Sequence, residues 1–150
     1  MNIDTATLES IQEFSFYGYN CICKVLDVID GDTLVVAMPY NNFVYKVRVR
    51  LKDVYAPETR TRDDEEKRRG IACRERLVRL LLSSLSLPYD SINCNTMTRD
   101  GIKRIFKENT VLCKLECDEN DCFGRTLGTI KINENDININ EMINDYLCSE

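Results

Sequence analysis

The chain has 150 residues, of which 43% are hydrophobic and 30% charged, and its formal net charge is −5. This composition is typical of one globular domain, and the acidic balance argues against broad, charge-driven binding of nucleic acid. The sequence contains no histidine, which excludes Ser-His-Asp triads, Cys-His proteases, histidine-based zinc hydrolases and nucleases that use a histidine base. Any catalysis must therefore use carboxylates, Arg, Lys, Tyr or Cys.

The eight cysteines occur at irregular spacing and include no Cys-x-x-Cys pair. This spacing disfavours a zinc site and predicts reduced, mostly buried thiols. No basic region followed by an apolar stretch resembles a signal peptide, and no apolar run approaches the roughly 20 residues of a membrane span. We therefore expect an intracellular protein without a membrane partner. The many Asn and Ile residues are typical of an AT-rich genome, such as that of a virus or a protist.

Residues 1–20 form an N-terminal extension to a domain that covers residues 21–150. In the extension, Leu8, Ile11 and Phe14 recur at helical spacing after Asp4, a residue suited to an N-cap. A short helix and a loosely held extended segment both fit this pattern.

Alternating apolar residues predict three consecutive strands, at residues 21–29, 33–38 and 43–54. Asp30-Gly31 is a hairpin signal between the first two strands, and residues 39–42 form the second turn. Alternation places two sets of side chains on opposite faces of the third strand. The apolar set is Phe43, Tyr45, Val47, Val49 and Leu51, and the cationic set is Lys46, Arg48, Arg50 and Lys52.

Residues 59–69 are heavily charged and are predicted to be a loop, and residues 70–85 an amphipathic helix with an apolar stripe at Leu77, Leu81 and Leu85. The helix arginines, Arg74, Arg76 and Arg79, are assigned to its solvated face. Residues 86–109 are interpreted as an insertion without an assigned role. It contains Pro88, an Asp100-Gly101 turn and the basic pair Lys103-Arg104. Two further strands, at residues 110–117 and 126–132, and a helix at residues 139–147 follow, with Asn138 and Glu141 at the spacing of a capping box.

Three separate segments carry residues suited to phosphate chemistry. The first, residues 28–33, reads V-I-D-G-D-T and places Asp30 and Asp32 at a hairpin, where Ca²⁺ or Mg²⁺ would find oxygen ligands. The second, residues 48–58, combines a cationic strand face with Glu58 beyond the strand end. The third, residues 121–127, reads D-C-F-G-R-T-L. Each alone is compatible with an ordinary turn or a solvent-exposed strand face.

Taken together and in this order, the three segments resemble the staphylococcal nuclease (thermonuclease) family. Its signatures are V-I-D-G-D-T, R-x-x-x-x-D-x-P-E and D-x-Y-G-R-x-L, followed by an Asn-led C-terminal helix. The resemblance covers the chain from about residue 21 to its C-terminus, except residues 86–109. It implies a mainly β, α+β fold, namely an OB-fold five-stranded barrel with packed helices.

The resemblance also implies roles for individual residues. Arg50 and Arg125 match the two arginines that grip the phosphate and stabilise its transition state, and Glu58 matches the glutamate assigned as general base toward water. Two guanidiniums fit this role because their forked geometry binds phosphate oxygens bidentately, and preorganised charge is commonly the largest catalytic term.

The calcium ligands are implied in the same way. Asp32 matches a direct calcium ligand, Ala56 a position that offers its backbone carbonyl, and Asp30 an outer-shell acid beside the ion. Tyr55, however, stands where the family has an Asp that is a second direct ligand, and a phenol with a pKa near 10 is a poor substitute for a carboxylate. Asp53, on the same strand face, is a candidate metal ligand in its place, although it lies roughly 7 Å away along a strand, too far without a bulge.

Two smaller departures concern aromatic residues. Phe123 replaces the Tyr of the family's Y-G-R element. The sequence reaches Glu150 before the stretch in which the family carries pocket tyrosines and a final helix. Stacking of bases would then depend on other rings in the chain.

The leading functional hypothesis is a metal-assisted nuclease acting on DNA, RNA or both, with weak binding of Ca²⁺ or of Mg²⁺ or Mn²⁺. The alternative is a catalytically impaired module of the same fold that binds nucleic acid or a protein partner, as Tyr55 and the acidic net charge would favour. A thiol-metal or redox protein is the third hypothesis. The sequence leaves open the preferred nucleic acid, endonuclease against exonuclease action, and the oligomeric state.

Overall fold

A computed structural model describes residues 2–85 and 97–149 of the chain. The strands and α-helices follow one another in three groups. A three-stranded meander comes first, two helices follow, and a second set of strands ends in a third helix. The elements are β1 (Asn20–Asp30), β2 (Thr33–Tyr40), β3 (Phe43–Leu51), α1 (Asp64–Leu82), α2 (Arg99–Glu108), β4 (Leu112–Asn120), β5 (Thr126–Ile132), β6 (Ile137–Asn138) and α3 (Ile139–Cys148).

Strands β1 to β5 close into a barrel. The order of the sheet is β3-β2-β1-β4-β5-β6, with antiparallel neighbours throughout, and a parallel pairing of β3 with β5 joins its two sides. In that pairing Val49 lies opposite Thr126, and Arg50 opposite Leu127. The result is a closed five-stranded mixed barrel with three helices in the described residues, an OB-like α+β fold. The closure also brings the end of β3 beside the start of β5.

The barrel interior and the faces of the helices form one apolar core. Alternate residues of the strands supply its centre, and α1 contributes Leu77 and Leu81, both fully buried. Ile102 and Phe106 of α2 and Ile139 and Ile143 of α3 are buried as well. Because each buried large apolar side chain contributes roughly 1.5–3 kcal/mol, these contacts hold the helices on the barrel.

The third strand is shorter than predicted. It ends at Leu51 rather than Val54, because Asp53 adopts a left-handed backbone with φ 61° that cannot continue a strand. The sequence predicted that Asp53 and Tyr55 lie on the same strand face. This is wrong, because neither residue belongs to the strand. At the other end, β2 extends to Tyr40 and only Asn41 and Asn42, with φ values of 51° and 69°, form the predicted second turn.

Helix α1 begins six residues earlier than predicted. Asp63 caps it by accepting hydrogen bonds from the amides of Glu65 and Glu66, and the acidic first turn complements the helix dipole. The assignment of residues 59–69 to a loop is therefore wrong from Asp64 onward. Arg74 is also misassigned, because it is only 7% exposed and donates to the carbonyl of Met97.

Part of the predicted insertion is a structural helix. Thr98 caps α2 by accepting from the Gly101 amide, so Asp100-Gly101 lies in a helix and does not form a separate turn. The Nη2 atom of Arg99 lies 2.6 Å from Oδ2 of the buried Asp27, and this ion pair joins α2 to β1. Residues 86–96, including Pro88, lie outside the described residues.

The N-terminal extension contains no α-helix among residues 2–19. Its one helical turn is a 3-10 turn at Ile3–Thr5, capped by Asn2 and not by Asp4, and Leu8 is 92% exposed. The extension is nevertheless attached to the barrel from Phe14 onward. The Phe14 carbonyl accepts a hydrogen bond of 3.1 Å from Nδ2 of Asn120, and the Gly18 amide donates to the Cys117 carbonyl.

The last helix is held to the barrel by a buried asparagine. Asn138 caps α3 by accepting from the Glu141 amide, as predicted. Asn140 is 6% exposed; its Nδ2 donates to the carbonyls of Lys52 and Gly128, and its Oδ1 accepts from the amide of Ile130. Within the described residues, no helix is long and apolar enough to cross a membrane.

Candidate functional site

A cleft of about 450 Å³ opens where β3 and β5 meet, and we call it the arginine cleft. The hairpin after β1, the end of β3, the segment before α1 and the turn before β5 surround it. Its charged lining consists of four arginines and three carboxylates, so the cleft is cationic although the whole chain carries −5. These residues are Arg48, Arg50, Arg60, Arg125, Asp30, Asp32 and Glu58. Its other lining residues are Ile29, Thr33, Tyr55, Ala56, Pro57 and Phe123.

Arg50 is the penultimate residue of β3, and three contacts hold its side chain at the cleft. Its Nη2 lies 3.7 Å from Oδ2 of Asp32 and donates to the carbonyl of Val54 at 3.4 Å. Its guanidinium also lies over the ring of Tyr55, 5.2 Å from the centroid. The side chain remains 23% exposed. It is therefore oriented by the protein and still accessible to a ligand.

Arg125 is positioned by the turn that precedes β5. Its Nε donates to Oδ2 of Asp121 at 2.7 Å, while Oδ1 of Asp121 accepts from the amides of Phe123 and Arg125. Burial opposes ionisation of Asp121, but these hydrogen bonds outweigh it and hold its pKa below the usual value. Gly124, with φ 81°, permits the tight turn. The pair with Asp121 uses Nε, and the Arg125 guanidinium also lies over the ring of Phe123, 5.5 Å from its centroid, at the lining of the cleft.

Asp32 and Asp30 are fixed by hydrogen bonds at the hairpin. Asp32 is 8% exposed; its Oδ1 accepts from the Thr33 hydroxyl at 2.9 Å and its Oδ2 from the Ala56 amide at 3.1 Å. Oδ1 of Asp30 accepts from the Thr59 hydroxyl at 2.6 Å. The cleft carboxylates thus connect the hairpin to the segment that carries Glu58.

Two glycines allow the close packing that sets this geometry. A Cβ atom on Gly31 would lie 2.3 Å from Sγ of Cys73, so the hairpin rests directly on α1. A Cβ atom on Gly70 would lie 2.7 Å from the carbonyl oxygens of Pro57 and Glu58. Helix α1 therefore supports the backbone of Glu58 without an intervening side chain. The Glu58 side chain is exposed, and no hydrogen bond engages it in the described part of the chain.

The cleft does not fit a Ca²⁺ ion held by protein groups. Tyr55 supplies a ring that is 74% exposed and packs against Arg50, at the position where the resemblance implied a second direct acidic ligand. Asp53 does not line the cleft, and its carbonyl accepts from Asn144. Across residues 2–85 and 97–149, no group of three or more Cys, Asp or Glu side chains is arranged to hold a metal ion.

Four cysteines lie on the paired strands β1 and β4. Cys23 faces Cys113 with 3.3 Å between their sulfur atoms, and none of the described cysteines forms a disulfide. Burial raises the pKa of Cys21 to about 11 and that of Cys117 to about 12. The hydrogen bond with Cys113, together with burial, raises the pKa of Cys23. The raised pKa values keep the thiols of Cys21, Cys23 and Cys117 protonated near neutral pH, and these three are therefore poor nucleophiles.

Sequence reasoning found most of the cleft but missed two of its arginines. The cleft is lined by Arg50, Glu58, Arg125, Asp30, Asp32 and Ala56, and the roles that the resemblance implies for them stay predictions. Arg48 had been placed on the cationic face of the third strand together with Arg50 but was given no role, and Arg60 had been assigned to a charged loop. A two-residue period puts Arg48 on the same face as Arg50, and this was the available signal for Arg48. Nothing in the local sequence distinguishes Arg60 from its charged neighbours.

Fold and site together define an OB-like barrel with a cationic cleft at its closing seam. The chain matches no protein-family model and no curated protein.

Proposed function

We propose that the protein is a nuclease that hydrolyses phosphodiester bonds of DNA, RNA or both, as its resemblance to the staphylococcal nuclease family implies. The observation that carries the proposal is the meeting of Arg50, Glu58 and Arg125 in one cleft. These residues come from β3, the segment before α1 and the turn before β5. Two oriented guanidiniums and an exposed carboxylate are the groups that hydrolysis of an anionic ester requires.

The chemistry follows from the placement of these groups. Arg50 and Arg125 bind the non-bridging oxygens, on which negative charge grows as water attacks the phosphorus. Glu58 accepts a proton from the attacking water, whose oxygen forms the new P–O bond. The opposite P–O bond breaks, and the leaving oxygen takes a proton from solvent. The products are a phosphomonoester and an alcohol.

Attack of water on the phosphorus is assigned to Glu58 and the two arginines and not to a resident Ca²⁺ ion, because the donor set does not fit one. The carboxylates of Asp32 and Asp30 would give a divalent cation only weak binding. Mg²⁺ and Mn²⁺ are the ions best suited to such a place, since they are commonly held by one or two carboxylates plus water and substrate oxygens. Millimolar Mg²⁺ or Mn²⁺ is therefore a variable to test, in parallel with Ca²⁺.

The decisive experiment is a cleavage assay on the purified full chain. Single-stranded DNA, duplex DNA and RNA are each incubated with Ca²⁺, Mg²⁺, Mn²⁺ or chelator. We expect cleavage in at least one condition, and its loss in Arg125→Ala but not in Arg104→Ala, which removes an exposed arginine of α2 outside the cleft. Absence of cleavage in every condition by correctly folded protein would overturn the proposal.

A second candidate function is a catalytically inactive module of the same fold. The presence of Tyr55 at a ligand position favours it, because the site then has fewer acidic groups than hydrolysis in the resembled family employs. Binding of an oligonucleotide that depends on Arg50 and Arg125, without cleavage in any condition, would select this alternative.

A further inference from the structure

A second depression adjoins the arginine cleft, and we call it the aromatic groove. It measures about 520 Å³ and lies between the attached part of the N-terminal extension, the β2–β3 hairpin and the turn before β5. Its rings are Phe14, Phe16, Tyr40 and Tyr45. Phe14 and Tyr45 are 66% and 45% exposed, so both rings are accessible to a ligand.

Three of the four rings of the groove contact one another, whereas the Tyr45 ring contacts Phe43, with 6.2 Å between their centroids. Phe14 and Phe16 pack edge to face at 5.2 Å, and Phe16 and Tyr40 at 5.1 Å. The hydrogen bond from Asn120 to the Phe14 carbonyl fixes the backbone of the extension beside the groove. Ring faces that are held in place but exposed can stack on a ligand at a small additional entropic cost.

The charge of the groove selects an anionic partner. Lys46, Arg48 and Arg125 line it, and no carboxylate does so in the described residues. Arg48 and Arg125 also line the arginine cleft, so the two depressions share a cationic wall. An anionic chain bound at the cleft can therefore continue into the groove without crossing an acidic surface.

We propose that the aromatic groove binds unpaired bases of a single strand of DNA or RNA whose phosphate backbone lies in the arginine cleft. This inference rests on the proposed function and adds a substrate class to it. Aromatic rings beside a cationic track are the arrangement by which proteins hold single strands, and one stacked base strengthens binding roughly five- to a hundredfold. A duplex gains little from such rings because its bases already stack and pair with one another.

The test measures binding separately from cleavage. Fluorescence anisotropy gives the Kd of a labelled single-stranded octanucleotide and of its duplex, in chelator and with the full chain carrying Glu58→Gln. In this background, we expect Phe14→Ala and Tyr45→Ala each to raise the Kd for the single strand at least fivefold and to leave the duplex within twofold. Tyr17→Ala is the matched control, because Tyr17 is 65% exposed in the same extension but does not line the groove.

Ring-preserving substitutions separate stacking from a structural effect. Phe14→Tyr and Tyr45→Phe should keep the Kd within twofold of the Glu58→Gln parent. If Phe14→Ala lowers the melting temperature, Phe14→Leu replaces it, since leucine keeps apolar packing and removes the ring face. The inference is overturned if single-strand Kd values are equal in all variants, or if duplex binding weakens by the same factor.

A small substrate distinguishes failure of this inference from failure of the proposed function. Hydrolysis of bis(p-nitrophenyl) phosphate requires only the arginine cleft. If that ester or any nucleic acid is cleaved while the groove variants bind the octanucleotide like their parent, the nuclease proposal stands and the groove proposal fails. If nothing is cleaved but single-strand binding depends on Phe14 and Tyr45, the groove proposal stands and the nuclease proposal fails.

Discussion

The guanidinium of Arg50 lies over the ring of Tyr55, with its central carbon 5.2 Å from the ring centroid. A cation–π contact at an exposed position is worth roughly 0.5–1 kcal/mol, enough to bias the orientation of a long side chain. In the resembled family a calcium ligand occupies the position of Tyr55. In this chain Tyr55 instead packs its ring against Arg50, the candidate phosphate-binding arginine.

This exchange leads to a prediction about metal dependence. Tyr55→Asp should tighten Ca²⁺ binding and raise calcium-dependent cleavage, because affinity at such sites rises with the number of acidic ligands. Tyr55→Phe is the control, since it keeps the ring and adds no charge. Isothermal titration and cleavage assays measure both effects. Micromolar Ca²⁺ binding by the unchanged protein, unaltered by Tyr55→Asp, would instead make Asp53 or another carboxylate the ligand.

The two candidate phosphate-binding arginines should be individually necessary. Arg50→Ala and Arg125→Ala should each lower the cleavage rate by several hundredfold, since one preorganised donor commonly contributes roughly 10²–10³ in rate. Single-turnover kinetics measures the loss, and circular dichroism establishes that each variant is folded. Lys103→Ala, on the exposed face of α2, is the control. A variant of either arginine that keeps a near-normal rate would remove that residue from the mechanism.

Asn140 should be the most sensitive polar residue of α3. Asn140→Ala leaves the Ile130 amide and the carbonyls of Lys52 and Gly128 without their partner, and we expect a loss of about 3 kcal/mol in the free energy of unfolding. Urea denaturation measures it. Asn144→Ala, which removes one surface hydrogen bond to Asp53, should cost less than about 1 kcal/mol. Equal losses would argue against a special role for Asn140.

Alkylation should divide the cysteines by pKa and exposure. At pH 8 the thiols of Cys21 and Cys117, with pKa values of about 11 and 12, are neutral, and their reaction with iodoacetamide should begin only as the pH approaches those values. Cys122 and Cys148 are exposed and should react first. Peptide mass spectrometry after timed labelling reads each site. Rapid labelling of Cys117 in folded protein at pH 8 would contradict the expectation.

Gly70 should affect both stability and rate. Gly70→Ala places a Cβ atom 2.7 Å from the carbonyl oxygens of Pro57 and Glu58, and we expect a loss of about 1–3 kcal/mol with a displaced Glu58 backbone. In an unconstrained helix the same change would stabilise by up to about 1 kcal/mol. Thermal melting and the cleavage rate are measured on the same samples. An unchanged or higher melting temperature would show that α1 does not press on this segment.

Sequence patterns predicted the secondary structure correctly where a segment's conformation depends mainly on its own residues. Residues 126–132 alternate and form β5 with the predicted bounds, and Asp30-Gly31 makes the predicted hairpin. The solvated position predicted for Arg74 is wrong. The prediction used only the spacing of apolar residues along the helix, whereas Arg74 donates a hydrogen bond to the carbonyl of Met97, which is distant in sequence. The start of α1 was predictable in retrospect, since Asp63 precedes three acidic residues in its first turn.

The same distinction applies to the candidate site: residues within short motifs could be predicted, and residues that meet only in the folded barrel could not. Arg50, Glu58 and Arg125 could be found because short motifs carry them. The aromatic groove could not be found, since Phe14 and Tyr45 belong to different segments and meet only across the folded barrel. Two of its rings, Phe14 and Phe16, come from an extension for which the sequence left a short helix and an extended segment equally open.

The parallel seam between β3 and β5 makes the site conditional on completed folding. Val49 and Thr126 pair across 77 positions of chain (126 minus 49), and Arg50 and Arg125 flank that pairing. Joining such distant segments carries an entropic cost that local hairpins avoid, so we expect the seam to form after the β1–β2–β3 meander. A chain folded only that far would have no assembled cleft, and local opening of the seam would separate Arg50 from Arg125 while most of the sheet remained intact.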